Sequence, residues 1–275
     1  GHLRGGHATI EAKSSQYVTS LLLACPLAEH DTELEVPVLN EKMYVQMTLD
    51  WLAEQEIDVE HDQMHRFFIA GGQSYRAFEH RIPADFSSAT FFFGAGALGS
   101  NDVRCRGLDM TDSQPDKAVI EYLEAMGAGV EIENGVTRVH SRDLTGIEID
   151  MNGTPDALPV MAVIGCFAHG TTVLRNVEQA RIKETDRIAV MARELKRMGA
   201  NIEERPDGLV VRESRLRGTR VNGHGDHRVA MALALAGLNA EGTTEVATAE
   251  SADVTFPEFG SLMRSLGARL ETSGD

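Results

Sequence analysis

A glycine-stopped amphipathic segment recurs along this 275-residue chain: YLEAMGAGVEI (122–132), ELKRMGANIEE (194–204) and LMRSLGARLE (262–271). The turn glycines Gly127, Gly199 and Gly267 are 72 and 68 residues apart. WLAEQEIDVE (51–60) is a fourth copy, with Glu56 at the glycine position 71 residues before Gly127. Each reads as a helix ended by a C-terminal turn and followed by a short alternating strand. A second, more apolar helix type alternates with the first: SSQYVTSLLLACPLA (14–28), SSATFFFGAGALG (87–99), ALPVMAVIGCFAHG (157–170) and HRVAMALALAGLNAEG (227–242). Gly99, Gly170 and Gly242 close three of these at steps of 71 and 72 residues. The chain is therefore expected to repeat one unit of two helices and several strands four times, the last copy being short.

The apolar segments are too uniformly hydrophobic for surface helices, so they are expected inside, with strands outside them. Small residues such as Gly94 to Ala97 and Ala230, Ala232, Ala234 and Ala236 would let such helices approach closely. GAGALG (94–99) matches the dinucleotide-binding pattern G-x-G-x-x-G, but that motif needs a strand before it and a helix opening at it. Its sister segments place it at the end of a buried helix, which argues against a nucleotide there.

At 42% hydrophobic residues the chain can bury a sizeable core, in one large domain or two smaller ones. Its formal net charge of -16 disfavours nucleic acid and anionic membranes as partners, so an anionic ligand must be held by a local cationic cluster. Cys25, Cys105 and Cys166 are odd in number and far apart, reading as reduced core thiols of a cytoplasmic protein. No run of about 18 apolar residues predicts a membrane span. His61 and His65 lack an evident third metal ligand, as do His224 and His227, and no metal or cofactor is expected. The opening GHLRGG has neither a starting Met nor a signal-peptide core, which reads as a segment of something longer.

Each apolar helix opens with a polar box: KSSQ (13–16), DFSS (85–88), TPDA (154–157) and GDHR (225–228). Capping of orphan N–H groups accounts for one such residue per helix. It does not account for Gln16, or for the cations His227 and Arg228, which oppose the helix dipole unless an anion binds there. RIKETDR (181–187) fits the same scheme. Ile188, Met191, Ala192, Leu195 and Met198 recur at helical spacing after it, so Thr185 or Asp186 is expected to cap a helix, with Lys183 and Glu184 at its mouth and Arg187 in its first turn.

The ordered stretches SSQY, DFSSATFFF, TPDALPVMAV, RIKETDRI, GDHRVAMALAL and TFPEF (255–259) together resemble the motifs of the 5-enolpyruvylshikimate-3-phosphate (EPSP) synthase family, with wording similar to archaeal members. The resemblance implies an α/β fold of inside-out α/β barrel lobes, each made of three β-α-β-α-β-β units with buried helices and outer sheets. Four units here would correspond to the C-terminal part: residues 1–82 a one-unit remnant of the first lobe, residues 83–275 the second lobe. The activity it implies is enolpyruvyl transfer from phosphoenolpyruvate to the 5-hydroxyl of shikimate 3-phosphate, releasing phosphate, within aromatic amino-acid biosynthesis. Related alternatives are a UDP-N-acetylglucosamine enolpyruvyl transferase or a non-catalytic anion-binding lobe.

Carried over by motif, Asp156 is the implied base at the hydroxyl, Glu184 exchanges a proton at the methylene, and Lys183 bridges to shikimate 3-phosphate. Ser14, Ser15, Gln16, Tyr44 and Gln179 are implied shikimate 3-phosphate ligands along with Asp156 and Lys183. Gln16, Arg187 and Arg228 are implied phosphoenolpyruvate ligands, guanidinium matching carboxylate and phosphate through paired donors. In EKMY (41–44), Glu41 replaces a serine of the family pattern and is expected to stand outside the site, since a carboxylate repels phosphate. Val254 replaces a lysine found in many members. The family's N-terminal lysine, arginines and glycine-rich loop have no counterpart, so the missing N-terminal half is an expected partner. The 275-residue chain given both substrates is accordingly expected to release no phosphate, and turnover by the purified chain would refute this.

Overall fold

The computed structural model describes residues 2–272 and divides into two compact units. Unit 1 comprises the chain up to Pro83 with Thr111–Pro115; unit 2 comprises Ala84–Met110 and the described chain from Asp116 onward.

Unit 1 runs β1 (Gly6–Ala12), α1 (Ser15–Ala24), β2 (Thr32–Leu39), α2 (Lys42–Glu54), β3 (Val59–Asp62) and β4 (Arg66–Ile69). Its sheet has the order β1-β2-β4-β3, parallel between β1 and β2 and antiparallel elsewhere. The parallel pair requires a crossover, which α1 supplies, and the antiparallel β3–β4 pair needs only a short turn. Val18 and Leu22 of α1, Val45, Leu49 and Leu52 of α2, and Leu34, Val36, Phe67 and Ile69 of the sheet form one apolar cluster.

Unit 2 begins with α3 (Phe86–Ala97), β5 (Asp102–Arg106), α4 (Ala118–Met126), β6 (Gly129–Glu133) and β7 (Val136–His140). It continues with β8 (Glu148–Asp150), α5 (Leu158–Phe167), β9 (Thr171–Arg175), α6 (Arg187–Arg197), β10 (Asn201–Arg205) and β11 (Gly208–Arg212). The last elements are β12 (Arg220–Asn222), α7 (His227–Leu238), β13 (Glu245–Ala247) and α8 (Phe259–Ser265). The sheet order β8-β9-β11-β10 repeats that of unit 1, strand for strand and with the same parallel and antiparallel pairings. The other two copies are partial. The β5-β7-β6 sheet matches the second, fourth and third strands of that pattern, and parallel β12-β13 matches its first two.

Gly127 and Gly199 end α4 and α6 at φ 104° and 95°, and Gly267 follows α8 at φ 98°. Glu56 takes the matching left-handed position after α2, at φ 55°. One expectation fails at the fourth copy: no strand follows Gly267 among the described residues. GAGALG does lie at the end of a buried helix, its first four residues forming the last turn of α3. His61 lies in β3.

The apolar helices separate by unit. In α5 every residue from Leu158 to Cys166 is buried, and α3 and α7 pack against it and each other. Fully burying a Leu, Val, Ile or Met side chain is worth about 1.5–3 kcal/mol, so these helices carry the core of unit 2. Helix α1 departs from the expectation of a fully internal helix: Val18 and Leu22 are buried while Tyr17 and Leu23 are exposed. The physical reason is that unit 1 holds one copy of the repeat, so α1 has α2 and one sheet to pack on rather than two further apolar helices. Among the described residues no helix is long and apolar enough to cross a membrane.

Close approach depends on absent side chains. A Cβ at Gly94 would lie 2.8 Å from Leu235 Cδ2 of α7 and 3.0 Å from Val160 Cγ2 of α5. At Gly96 it would lie 2.5 Å from the backbone oxygen of Val139 in β7, an atom that cannot rotate away. Gly96→Ala is expected to destabilise the chain by about 1–3 kcal/mol despite alanine's better helix propensity. Gly94→Ala, facing side-chain ends, is expected to lose less. Urea unfolding of the two variants compares them.

Candidate active site

Each apolar helix of unit 2 begins with a polar residue that terminates the preceding extended segment. Asp85 caps α3, accepting from the N–H groups of Ser87 and Ser88. Asp226 caps α7, accepting from Arg228 and Val229. Thr154 precedes the one-turn helix Pro155–Ala157 that leads into α5, and it places Asp156 at that helix's mouth. Asp186, rather than Thr185, caps α6, its Oδ1 accepting from Ala189 N at 3.0 Å. Its Oδ2 accepts from Arg181 Nη1 at 2.7 Å, and Arg181 also bonds Glu204 and the carbonyls of Arg205 and Pro206. These two residues of the 181–187 heptad therefore tie the start of α6 to the β10–β11 hairpin.

Arg187 opens α6 and is 1% exposed. Its Nε donates to Asp226 Oδ2 at 2.7 Å, Nη1 to Asp156 Oδ1 at 2.7 Å, and Nη2 to Glu184 Oε2 at 2.5 Å. Arg228, in the first turn of α7, approaches the other oxygen of Asp156 with Nη2 at 3.1 Å. The mouths of α5, α6 and α7 thus meet on a web of carboxylates and guanidiniums.

Burial opposes ionisation of Asp156, but the neighbouring charges of Arg228, Arg187 and Lys183 outweigh it and hold the carboxyl at about 2. Burial likewise opposes charge on Asp226, and Arg187 with the two backbone donors of α7 brings its pKa below the ordinary range. His227 is lowered by burial first and then by Arg228 and Arg187, against the opposing pull of Asp226 and Glu184, which favours its neutral ring. Glu184 is the most open member, with 48% of its side chain exposed. Gln179 is buried nearby in sequence; its Nε2 donates to Asn152 O at 3.0 Å, while Oε1 has no protein partner.

In unit 1, Ser14 caps α1, its Oγ accepting from Gln16 N at 3.4 Å. Gln16 is exposed, and Tyr44 lies partly buried in the first turn of α2. A hydroxyl pair, Thr19 and Thr48, joins α1 to α2 at 3.0 Å. Glu41, expected outside this group, is inside it: its Oε2 accepts from both the N–H and the Oγ–H of Ser15.

A family model described as EPSP synthase (3-phosphoshikimate 1-carboxyvinyltransferase) matches residues 2–263. The chain belongs to the EPSP synthase family. It is 53% identical to the 3-phosphoshikimate 1-carboxyvinyltransferase of Acetivibrio thermocellus over 99% of this chain and 64% of that protein. It is 42% identical to the protein of that name from Methanocella arvoryzae, over 98% of this chain and 65% of that one. The EPSP synthase structure from Acinetobacter baumannii superposes with a TM-score of 0.80 at 28% identity, covering 99% of this chain and 64% of that chain. The chain thus spans a little under two thirds of the length of these relatives, which include clostridial as well as archaeal proteins.

The structure brings Asp156, Glu184, Arg187 and Arg228 together in unit 2, with Lys183 close enough to act on Asp156 through its charge. Ser14, Ser15 and Gln16 adjoin one another in unit 1, and Tyr44 N–H donates to Glu41 O at 3.0 Å. Sequence reasoning missed Asp226 as more than a cap. Its position in GDHR signals the cap, but nothing in the spacing signals its pairing with an arginine 39 residues earlier.

Asp226→Asn removes the fully buried counter-charge of Arg187 but leaves Asp156 and Glu184 paired with it, and is expected to cost about 1–3 kcal/mol in denaturant unfolding. Asp156, with its folded pKa depressed, contributes stability that is complete above the ordinary carboxylate range and lost as pH falls toward 2. The stability advantage of the wild type over Asp156→Asn is therefore expected to shrink by about 2 kcal/mol between pH 5 and pH 2.

Proposed function

We propose that this chain carries the residues of an enolpyruvyl transfer: from phosphoenolpyruvate to the 5-hydroxyl of shikimate 3-phosphate, with release of phosphate. The observation that carries the reading is Asp156, held between two guanidiniums, one of which also holds Glu184. Two carboxylates for proton transfer and two arginines for a doubly anionic substrate are what this chemistry needs in one place.

In the proposed sequence, Glu184 gives a proton to the methylene carbon of phosphoenolpyruvate, leaving a cationic centre at C2. The 5-hydroxyl oxygen bonds to C2 as its proton passes to Asp156. The resulting tetrahedral adduct loses phosphate from C2, the phosphate leaving with the proton held by Asp156, while the new methyl group returns a proton to Glu184, restoring the double bond in the product. Arg187 and Arg228 hold phosphoenolpyruvate, and Lys183 lies between Asp156 and the attacking oxygen. With its pKa at about 2, Asp156 is a weak base in the free chain. Anionic substrate on the two guanidiniums offsets their charge, so binding itself raises the basicity of Asp156. Ser14, Ser15, Gln16 and Tyr44 bind shikimate 3-phosphate, the serines through its phosphate, and Gln16 also meets phosphoenolpyruvate. The buried Gln179, with its unpartnered oxygen, accepts a substrate hydroxyl.

The reading assigns residues 1–82 and 83–275 to two lobes of the inside-out α/β barrel type, working in the cytoplasm on dissolved substrates. The repeated strand order and α5, buried from Leu158 to Cys166, support that architecture. The family's N-terminal half is the proposed partner.

Calorimetric titration of the 275-residue chain with shikimate 3-phosphate tests the reading. Binding that weakens at least about tenfold in Lys183→Ala is expected, the loss of one charge-assisted contact. No binding, indifference to Lys183→Ala, or preference for UDP-N-acetylglucosamine would overturn it.

A further inference from the structure

Glu41 precedes α2 with φ 59° and ψ 41°, the left-handed region that a β-carbon disfavours, and its side chain does not cap α2. The carboxylate instead turns to the start of α1. Its Oε2 accepts the backbone N–H of Ser15 at 3.1 Å and the Ser15 hydroxyl at 2.6 Å, and the residue is 1% exposed. A helix start offers unsatisfied N–H groups and a favourable dipole to an anion. Here the protein's own anion takes both donors of one serine, from a backbone conformation that carries strain.

We propose that Glu41 is an internal counter-ligand that determines phosphate specificity at the mouth of α1, an inference that rests on the reading of Ser14 and Ser15 as phosphate ligands. The two Ser15 donors are those a phosphate oxygen would use, and carboxylate and phosphate cannot share them without close repulsion between like charges. A phosphate group binds only by displacing Glu41. Bare phosphate gains nothing beyond the serines to offset that displacement. A phosphate monoester whose carbon skeleton also reaches Gln16 and Tyr44 gains those contacts, so the site rejects inorganic phosphate and admits the larger ligand. Glu41 thereby sets selectivity without touching the reacting atoms.

The test titrates the whole chain and its Glu41→Ser and Glu41→Gln variants with inorganic phosphate and with shikimate 3-phosphate. Glu41→Gln preserves size and one acceptor oxygen, so it serves if Glu41→Ser fails to fold in a thermal melt. Inorganic phosphate is expected to bind the variants roughly tenfold or more tightly than wild type, the charge repulsion being gone. Adding Ser15→Ala is expected to abolish that gain. The preference for shikimate 3-phosphate over inorganic phosphate is expected to narrow. Unchanged phosphate affinity in folded variants, or a gain that survives Ser15→Ala, overturns the inference. If the variants gain phosphate affinity while shikimate 3-phosphate binds no better than phosphate throughout, Glu41 blocks the serines against any phosphate, and the selectivity part of the inference falls together with the proposed function.

Discussion

The guanidinium of Arg187 is the group around which unit 2 is arranged. It is 1% exposed, so its charge must be met inside the protein. Asp226 meets it with both oxygens and is itself fully buried, while its Oδ1 also accepts the first N–H groups of α7. One ion pair thereby joins the start of α6 to the start of α7. Through Nη1 the same guanidinium reaches Asp156 at the mouth of α5. Three helix starts are held together by one side chain.

That arrangement presupposes close helices. Gly94 brings α3 against α5 and α7, and Gly96 brings it against β7. Because these helices are apolar all round, their only polar ends are their termini, and packing them side by side gathers those termini at one place. The electrostatic consequence is specific. Asp156 is kept ionised well below the ordinary range by cations that an anionic ligand would neutralise, so site occupancy and the basicity of Asp156 are coupled. In unit 1 the start of α1 is met by a carboxylate, Glu41, which accepts both donors of Ser15.

Much of the fold is legible in the sequence because the repeat writes the same local instructions several times. The glycines at 127, 199 and 267 mark left-handed turns, and all three have positive φ. The polar boxes mark helix starts, and Ser14, Asp85 and Asp226 cap through their side chains. The uniform hydrophobicity of 157–170 marks a buried helix, which α5 is. Where the reading of α1 as equally buried fails, the helix carries Ser15, Gln16, Thr19 and Ser20 among its ten residues and has fewer neighbours to pack on, so both its composition and its surroundings leave one face open. The strand expected after Gly267 fails for a similar reason, since a strand exists only where another strand accepts its hydrogen bonds.

By itself, the sequence determined the repeat, the helix starts, the turns and the family, all of which rest on local spacing or on ordered motifs. The tertiary structure alone decided which charges meet: Arg187 with Asp226 across 39 residues, Arg187 with Asp156 across 31, and Ser15 with Glu41 across 26. These partners come together because parallel strands with helical crossovers return successive helix starts to the same edge. Chain spacing carries no record of which carboxylate on that edge a given cation or serine will face. Asp226 and Glu41, a cap and a mismatch when read in the sequence, became in the folded chain the partner of a buried arginine and the occupant of a helix mouth.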